Sequence, residues 1–239
     1  RYRIVKQLGE GGVGAVFLVQ HVHTDERLAL KVLHTQVAMD LPKDAWLFDA
    51  VRGSCKGNST IKTISVTDGA LTVRNDYQLA LLGENSEVEL DGVWMLSEAR
   101  EAHAHVLVDH QAPHCRSRQL FKGVLRDSSR SSFEGKILVR QAAQKTDAFQ
   151  LNNNLLMSPT AHADSKPNLE IFADDVKASH GATFGRLDDE QLFYMKSRGF
   201  SDVAAKNILI YGFCKEVIER IALPALRERL EKRAEKYLS

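Results

Sequence analysis

Hydrophobic and polar residues alternate with a period of two along most of this chain, first in Val5 to Gly9 and Ala15 to Gln20. From Asp44 onward the same texture returns in short runs: Ile61 to Val66, Leu71 to Val73, Gln78 to Leu81 and Glu87 to Leu90. Asp-Gly, Gly-Glu-Asn and a second Asp-Gly separate these runs, and those pairings favour turns. The pattern continues through His105 to Val108, Gly123 to Leu125, Lys136 to Arg140 and Leu169 to Phe172. Many short strands with no long helix between them predict an all-β body, for which sandwich, barrel and parallel β-helix all fit. Asn152-Asn153-Asn154 ahead of Leu155 and Leu156 favours stacked coils, where side-chain amides hydrogen-bond from one layer to the next. Helices are predicted from Leu187. Asp188 caps Gln191 to Ser197, Ser201 caps a longer helix from Asp202, and Pro224 opens a charged amphipathic helix to Leu238. Their apolar residues, among them Ile208, Ile210, Val217 and Ile218, suit either packing on the β body or docking of a partner.

Composition narrows the classes little. Lys and Arg number 32 against 31 acidic residues, which gives no electrostatic reason to expect nucleic acid or an anionic membrane face. No apolar run approaches the roughly 20 residues of a membrane span, and no charged-then-apolar leader is seen, so a cytoplasmic protein is expected. Cys55, Cys115 and Cys214 are odd in number and widely spaced, which predicts reduced thiols; Cys55 and Cys214 read as buried.

Residues 1–40 carry a separate signal. Gly9, Gly11, Gly14 and Val16 fit G-x-G-x-x-G-x-V, with Lys31 on the next strand-like run. Glycines there let backbone amides approach a phosphate, and the lysine stands where one would hold α- and β-phosphates. The segment resembles the start of a bacterial serine/threonine kinase N-lobe. The rest of the kinase pattern fails: in His162-Ala163-Asp164-Ser165-Lys166-Pro167-Asn168 an alanine replaces arginine and the asparagine comes early, and Thr183 stands where a magnesium-binding aspartate is required.

A second set of motifs runs in order through residues 50–217. Ala112-Pro113-His114-Cys115, Ser117-Arg118, Lys122-Gly123, Gln144-Lys145-Thr146-Asp147 and Asn154-Leu155-Leu156 come first. Lys166-Pro167, Leu169-Glu170-Ile171, Ala173-Asp174-Asp175-Val176-Lys177 and Ser179-His180-Gly181-Ala182-Thr183 follow. Together they resemble the SufB/SufD family of iron-sulfur cluster assembly proteins, the last in its SufD-like form. The resemblance implies a right-handed parallel β-helix over 44–186 and a helical, partner-docking region over 187–239. It implies a non-enzymatic scaffold that pairs with a SufB-like subunit and docks a SufC-like ABC ATPase, with ATP entering only through that ATPase. A transient iron-sulfur cluster would be shared with the partner, and flavin would be held, if at all, by the complex. The family's functional histidine falls on His180, at the cluster-assembly interface, where its ring nitrogen could ligate iron.

Glu101, His103 and His105 share a strand face, with Asp109, His110, His114 and Cys115 following, which is a second place to look for a metal. No tetrahedral knuckle spacing appears, so stacked or hydrogen-bonded histidines are the expectation. Besides the SufD-like scaffold, a kinase-related nucleotide-binding protein and a non-functional fusion of the two account for the two signals.

Overall fold

The computed structural model describes residues 41–221, 224–235 and 237 in full, and within residues 2–39 the backbone of four strands. The first three, β1 (Tyr2–Gly11), β2 (Gly14–His21) and β3 (Arg27–Val32), form an antiparallel sheet in the order β1-β2-β3. Gly11 and Gly14 are register partners, as are Val16 and Lys31. Side chains of the kinase-like segment lie outside the described residues.

Everything from β4 (Gln36–Met39) to residue 185 is a coil with two strands per turn. β4, β6 (Thr60–Asp68), β8 (Glu87–Leu96), β10 (Arg116–Leu125), β12 (Asp147–Leu156) and β14 (Lys177–Gly185) form one sheet. β5 (Trp46–Cys55), β7 (Thr72–Leu81), β9 (Glu101–His110), β11 (Arg130–Val139) and β13 (His162–Ile171) form the other. All pairings within these two sheets are parallel and in register. The chain is thus a parallel β-helix, as the resemblance implies. Each turn takes between 26 residues, from Trp46 to its partner Thr72, and 32, from Arg130 to His162.

Alternation along each strand sends every second side chain inward, and register stacks those side chains into columns. Two examples are Thr63-Leu90-Gln119-Gln150-His180 and Val51-Tyr77-Val106-Gly135-Pro167. Between the sheets, Leu79, Leu81, Leu90, Leu96, Val106, Val108 and Phe133 fill a continuous core. Phe121 lies at its centre, with ring centroids 4.9 Å from Phe133, 6.1 Å from Trp94 and 6.4 Å from Tyr77.

The Asp91-Gly92 turn expected from sequence does not exist: both residues lie mid-strand in β8. Gly92 faces inward beside Phe121, whose ring occupies the space a Cβ would need. The runs expected at Leu71 to Val73 and Gln78 to Leu81 join into the single strand β7, and β4, β5, β12 and β14 add strands the pattern did not reveal. The segment that superficially matched a kinase catalytic loop is β13, a regular strand.

Corners of the coil stack as well. Asn58, Asn85, His114 and Lys145 all adopt positive φ, between 56° and 60°, at one corner; Ala70, Glu98 and Asp127 do so at another. Asn58, Asn85 and His114 donate their backbone N–H to Glu84, Pro113 and Gln144 one turn ahead, so the unusual conformation is held by a ladder of its own. Asparagine tolerates this region best, which is why Gly-Glu-Asn was readable as a turn whereas His114 and Lys145 were not.

The helices are α1 (Asp189–Ser197), α2 (Asp202–Ile218) and α3 (Pro224–Glu235), with caps at Asp188 and Ser201 as expected. α2 and α3 cover the outer face of the six-stranded sheet. Ile210, Cys214, Val217, Ile218, Ile221, Leu230 and Ala234 pack on Val66, Val93, Met95, Leu120 and Val124. Packing on the β body therefore claims these residues of the helical region, while Ile208 and Val203 stay exposed. α1 buries none of its residues.

Phe121→Ala is expected to cost about 3–5 kcal/mol, the usual penalty for a large aromatic deleted from a close-packed core. Urea unfolding measures it, and a loss below about 1 kcal/mol would show that the core is not centred there.

Candidate functional site

His180 sits on β14, the last strand of the six-stranded sheet, opposite Gln150 of β12. Its position belongs to an inward column, yet the residue is exposed because no further turn covers it. β13 and β14 each pair on one side only among the described residues, with β11 and β12. The coil therefore ends in a pair of open strand edges, and unpaired edges are templates for another chain. Phe184 on β14 and Ile171 on β13 are also exposed there.

Beneath His180 the interior turns polar. Gln150 is fully buried and its Nε2 donates to Oε1 of Gln119 at 2.8 Å. Asn152 donates to the Phe121 carbonyl at 3.2 Å, and Asn154 Nδ2 donates to Asn152 Oδ1 at 2.9 Å. Of the layer-to-layer bonding anticipated from Asn152-Asn153-Asn154, Asn152 reaches the backbone of the preceding turn and the outward-facing Asn153 takes a hydrogen bond from Thr183 of the following turn at 2.8 Å, whereas Asn154 bonds within its own strand. Sequence reasoning missed Gln119 and Gln150. The signal available was the repeated Gln-Leu at 119–120 and 150–151, one turn apart.

The second candidate group is dispersed. Glu101, His103 and His105 do share the outer face of β9, but each ring is already engaged. His103 meets Ser132 Oγ at 2.7 Å and Glu101 at 3.3 Å, while His105 meets Asp76 at 3.3 Å. Asp109 pairs with Arg140 at 3.1 Å. His110 points inward, fully buried, with Nε2 2.9 Å from Ser117 Oγ. Cys115 is buried against Ser86 Oγ at 3.2 Å. Among the described residues no three His, Cys, Asp or Glu side chains gather as a metal site. Cys55 and Cys214 are buried free thiols, and burial pushes them up to about 11 and about 12.

Comparison with known proteins gives this geometry a context. The family model described as "SUF system FeS cluster assembly, SufBD core domain" matches residues 19–213. The Escherichia coli (strain K12) iron-sulfur cluster assembly protein SufD is 41% identical over 162 residues, covering 68% of this chain and 38% of that protein. An iron-sulfur cluster assembly SufBD family protein of Mycobacterium leprae is 38% identical over 181 residues, covering 72% and 46%. Protein ABCI7, chloroplastic, of Arabidopsis thaliana is 36% identical over 177 residues, covering 73% and 37%. The chain spans less than half the length of these relatives. They lend no support to the kinase-like reading, since the SufBD match begins at residue 19 and takes in Lys31.

Burial lowers His110 from 6.5 to about 4, outweighing the nearby Asp109 charge. The unfolded chain therefore binds a proton at this residue below pH 6.5 while the folded chain resists until about pH 4. Stability falls as pH drops through that window, by about 3 kcal/mol in all. Denaturation midpoints of wild type minus His110→Asn, measured from pH 7 to 4, should show this slope; parallel curves would refute it.

Proposed function

Because the chain belongs to the SUF-system iron-sulfur cluster assembly family built on the SufBD core domain, we propose that it is a SufD-like, non-enzymatic scaffold subunit acting in the cytoplasm. The observation that carries this reading is His180, exposed on the uncovered last turn of the coil inside Ser179-His180-Gly181-Ala182-Thr183.

The open edges of β13 and β14 suit a second β-helix, supplied by a SufB-like subunit whose strands would satisfy the unpaired backbone groups. His180 then lies at a shared boundary. A ring nitrogen with its lone pair available can ligate iron of a nascent cluster or hold a persulfide-bearing partner cysteine in place. The cluster is cargo, completed by ligands from the partner. Flavin, where it is bound, belongs to the assembled complex.

A SufC-like ABC ATPase needs a separate surface, and α1 with the start of α2 offers one. Phe193, Tyr194, Phe200, Val203 and Ile208 are exposed, Phe193 by 75%. They lie on the side of the helical region not consumed by sheet packing. ATP would act through that ATPase alone, its motion reaching the β-helix through α2.

Two experiments test the reading. His180→Ala should leave folding and partner capture intact while lowering cluster yield at least tenfold in a complex reconstituted with SufB-like and SufC-like subunits; unchanged yield removes His180 from the mechanism. Phe193→Asp combined with Tyr194→Asp should abolish co-purification of the ATPase and spare the SufB-like partner. Retention of the ATPase would place its docking surface elsewhere.

A further inference from the structure

We propose that Gln150 is a positioning residue for His180, accepting a hydrogen bond from the imidazole and so fixing which ring nitrogen faces out of the coil. The argument rests on the direction of the amide ladder. Gln119, Gln150 and His180 occupy successive places of one inward column. Gln150 spends its Nε2 on Gln119 Oε1 at 2.8 Å, toward the preceding turn. In a stacked amide the oxygen points the opposite way along the stack, toward the following turn. The residue at that place on the following turn is His180.

Two further observations agree. Gln150 Oε1 is buried and has no hydrogen-bond partner, and a buried acceptor left unmet is costly enough to require an explanation. At the other end of the ladder the preceding turn holds Leu90, which offers Gln119 Nε2 nothing. The ladder thus faces an apolar side chain at one end, and at the other the place held by His180. The fold also makes room for it: inward-facing Gly135 of β11 lies against the Gln150 amide, where a Cβ would strike Nε2.

Neighbouring parallel strands stand about 4.8 Å apart, a spacing that the Gln150 amide and the His180 ring can bridge side chain to side chain. Donating a ring proton inward commits the other nitrogen to carry the lone pair, pointing to the boundary where a partner would sit. This deepens the proposed role of His180 and rests on it for its biological meaning, but its structural content stands separately.

The test is the tautomer of His180, read from long-range proton-nitrogen correlations of the full chain labelled with nitrogen-15 at histidine, the signal assigned by its loss in His180→Ala. Wild type should favour one tautomer about tenfold over the ratio of the same peptide free in solution, roughly what a hydrogen bond of about 1.4 kcal/mol would give. Gln150→Met keeps the volume and removes the acceptor, and should return the ratio to the free-peptide value. Gln150→Glu restores an acceptor and should restore the bias. An unchanged ratio in Gln150→Met, with amide exchange protection of β12 and β14 intact, overturns the proposal, as does a wild-type ratio equal to the peptide's. Loss of that protection in Gln150→Met moves the decision to Gln150→Glu, where an unbiased tautomer overturns it. Cluster yield is read in parallel: if His180→Ala leaves it unchanged while the tautomer follows Gln150, the positioning holds and the assembly role fails.

Discussion

In-register stacking of parallel strands is the constraint from which the other features follow. Once Glu87 lies on Arg116, each residue of β8 is committed to one neighbour on β10, and that neighbour to one on β12. A residue is therefore chosen by its column rather than by its position along a strand. Leu90, Trp94 and Phe121 are inward and apolar because the five-stranded sheet faces them. Gly92 is small because the next turn brings a phenyl ring into the same column. The corners obey the same rule, with positive φ recurring at Asn58, Asn85, His114 and Lys145 whatever the side chain. Left-handed backbone in His114 or Lys145 is unfavourable taken singly. A ladder of turn hydrogen bonds offsets that cost.

The outer face of the six-stranded sheet is governed by a different balance. Val93, Met95, Leu120 and Val124 would present an apolar patch to water without α2 and α3. Among these contacts the helices also carry charge into the interface. Asp91 is buried beneath α2, with Arg220 Nη1 at 2.8 Å from Oδ1. Burial raises its carboxyl to about 6 despite the guanidinium, so the pair is a poor source of stability near neutral pH. Its geometric effect is clearer: with Lys122 meeting Glu216 at 2.6 Å, it fixes the rotation of α2 over β8 and β10. That rotation turns Ile210 and Val217 to the sheet and leaves Ile208 outside.

Legibility in the sequence followed these same lines. The helix starts were readable because caps are local, Asp188 and Ser201 each accepting a backbone N–H three residues on, from Gln191 and Ala204, whereas the ends were not, α3 stopping at Glu235 rather than Leu238. β9, with its apolar inward set, stood out as alternation, and β6 did so through Ile64 and Val66 on its helix-covered outer face. β12 did not, because Gln150, Asn152 and Asn154 put amides where the pattern demands hydrophobes. The turn length varies from 26 to 32 residues, so no fixed repeat revealed the coil from spacing, and the choice among sandwich, barrel and β-helix came from ordered motifs instead. The candidate site was legible in the same restricted way. His180 was named by its motif, whereas its exposure depends on where the coil stops, and Gln119 and Gln150 matter only once their register is known.

The change from apolar to polar filling along the axis bears on why the coil can end where it does. On the six-stranded sheet the inward places pass from Thr63, Ser65 and Thr67 on β6 to Leu90 and Trp94 on β8, then through Gln119 and Phe121 on β10 to Gln150, Asn152 and Asn154 on β12. An apolar column cut off at its last turn would offer a sticky, unspecific edge to any extended chain. A column of oriented amides ending in an imidazole offers directional hydrogen-bonding groups, which a partner must match in position and polarity or leave unsatisfied at a cost. The open end is thereby unfavourable to indiscriminate strand addition and selective for one complementary surface. Stability is drawn from the apolar middle of the coil, and selectivity from its polar end.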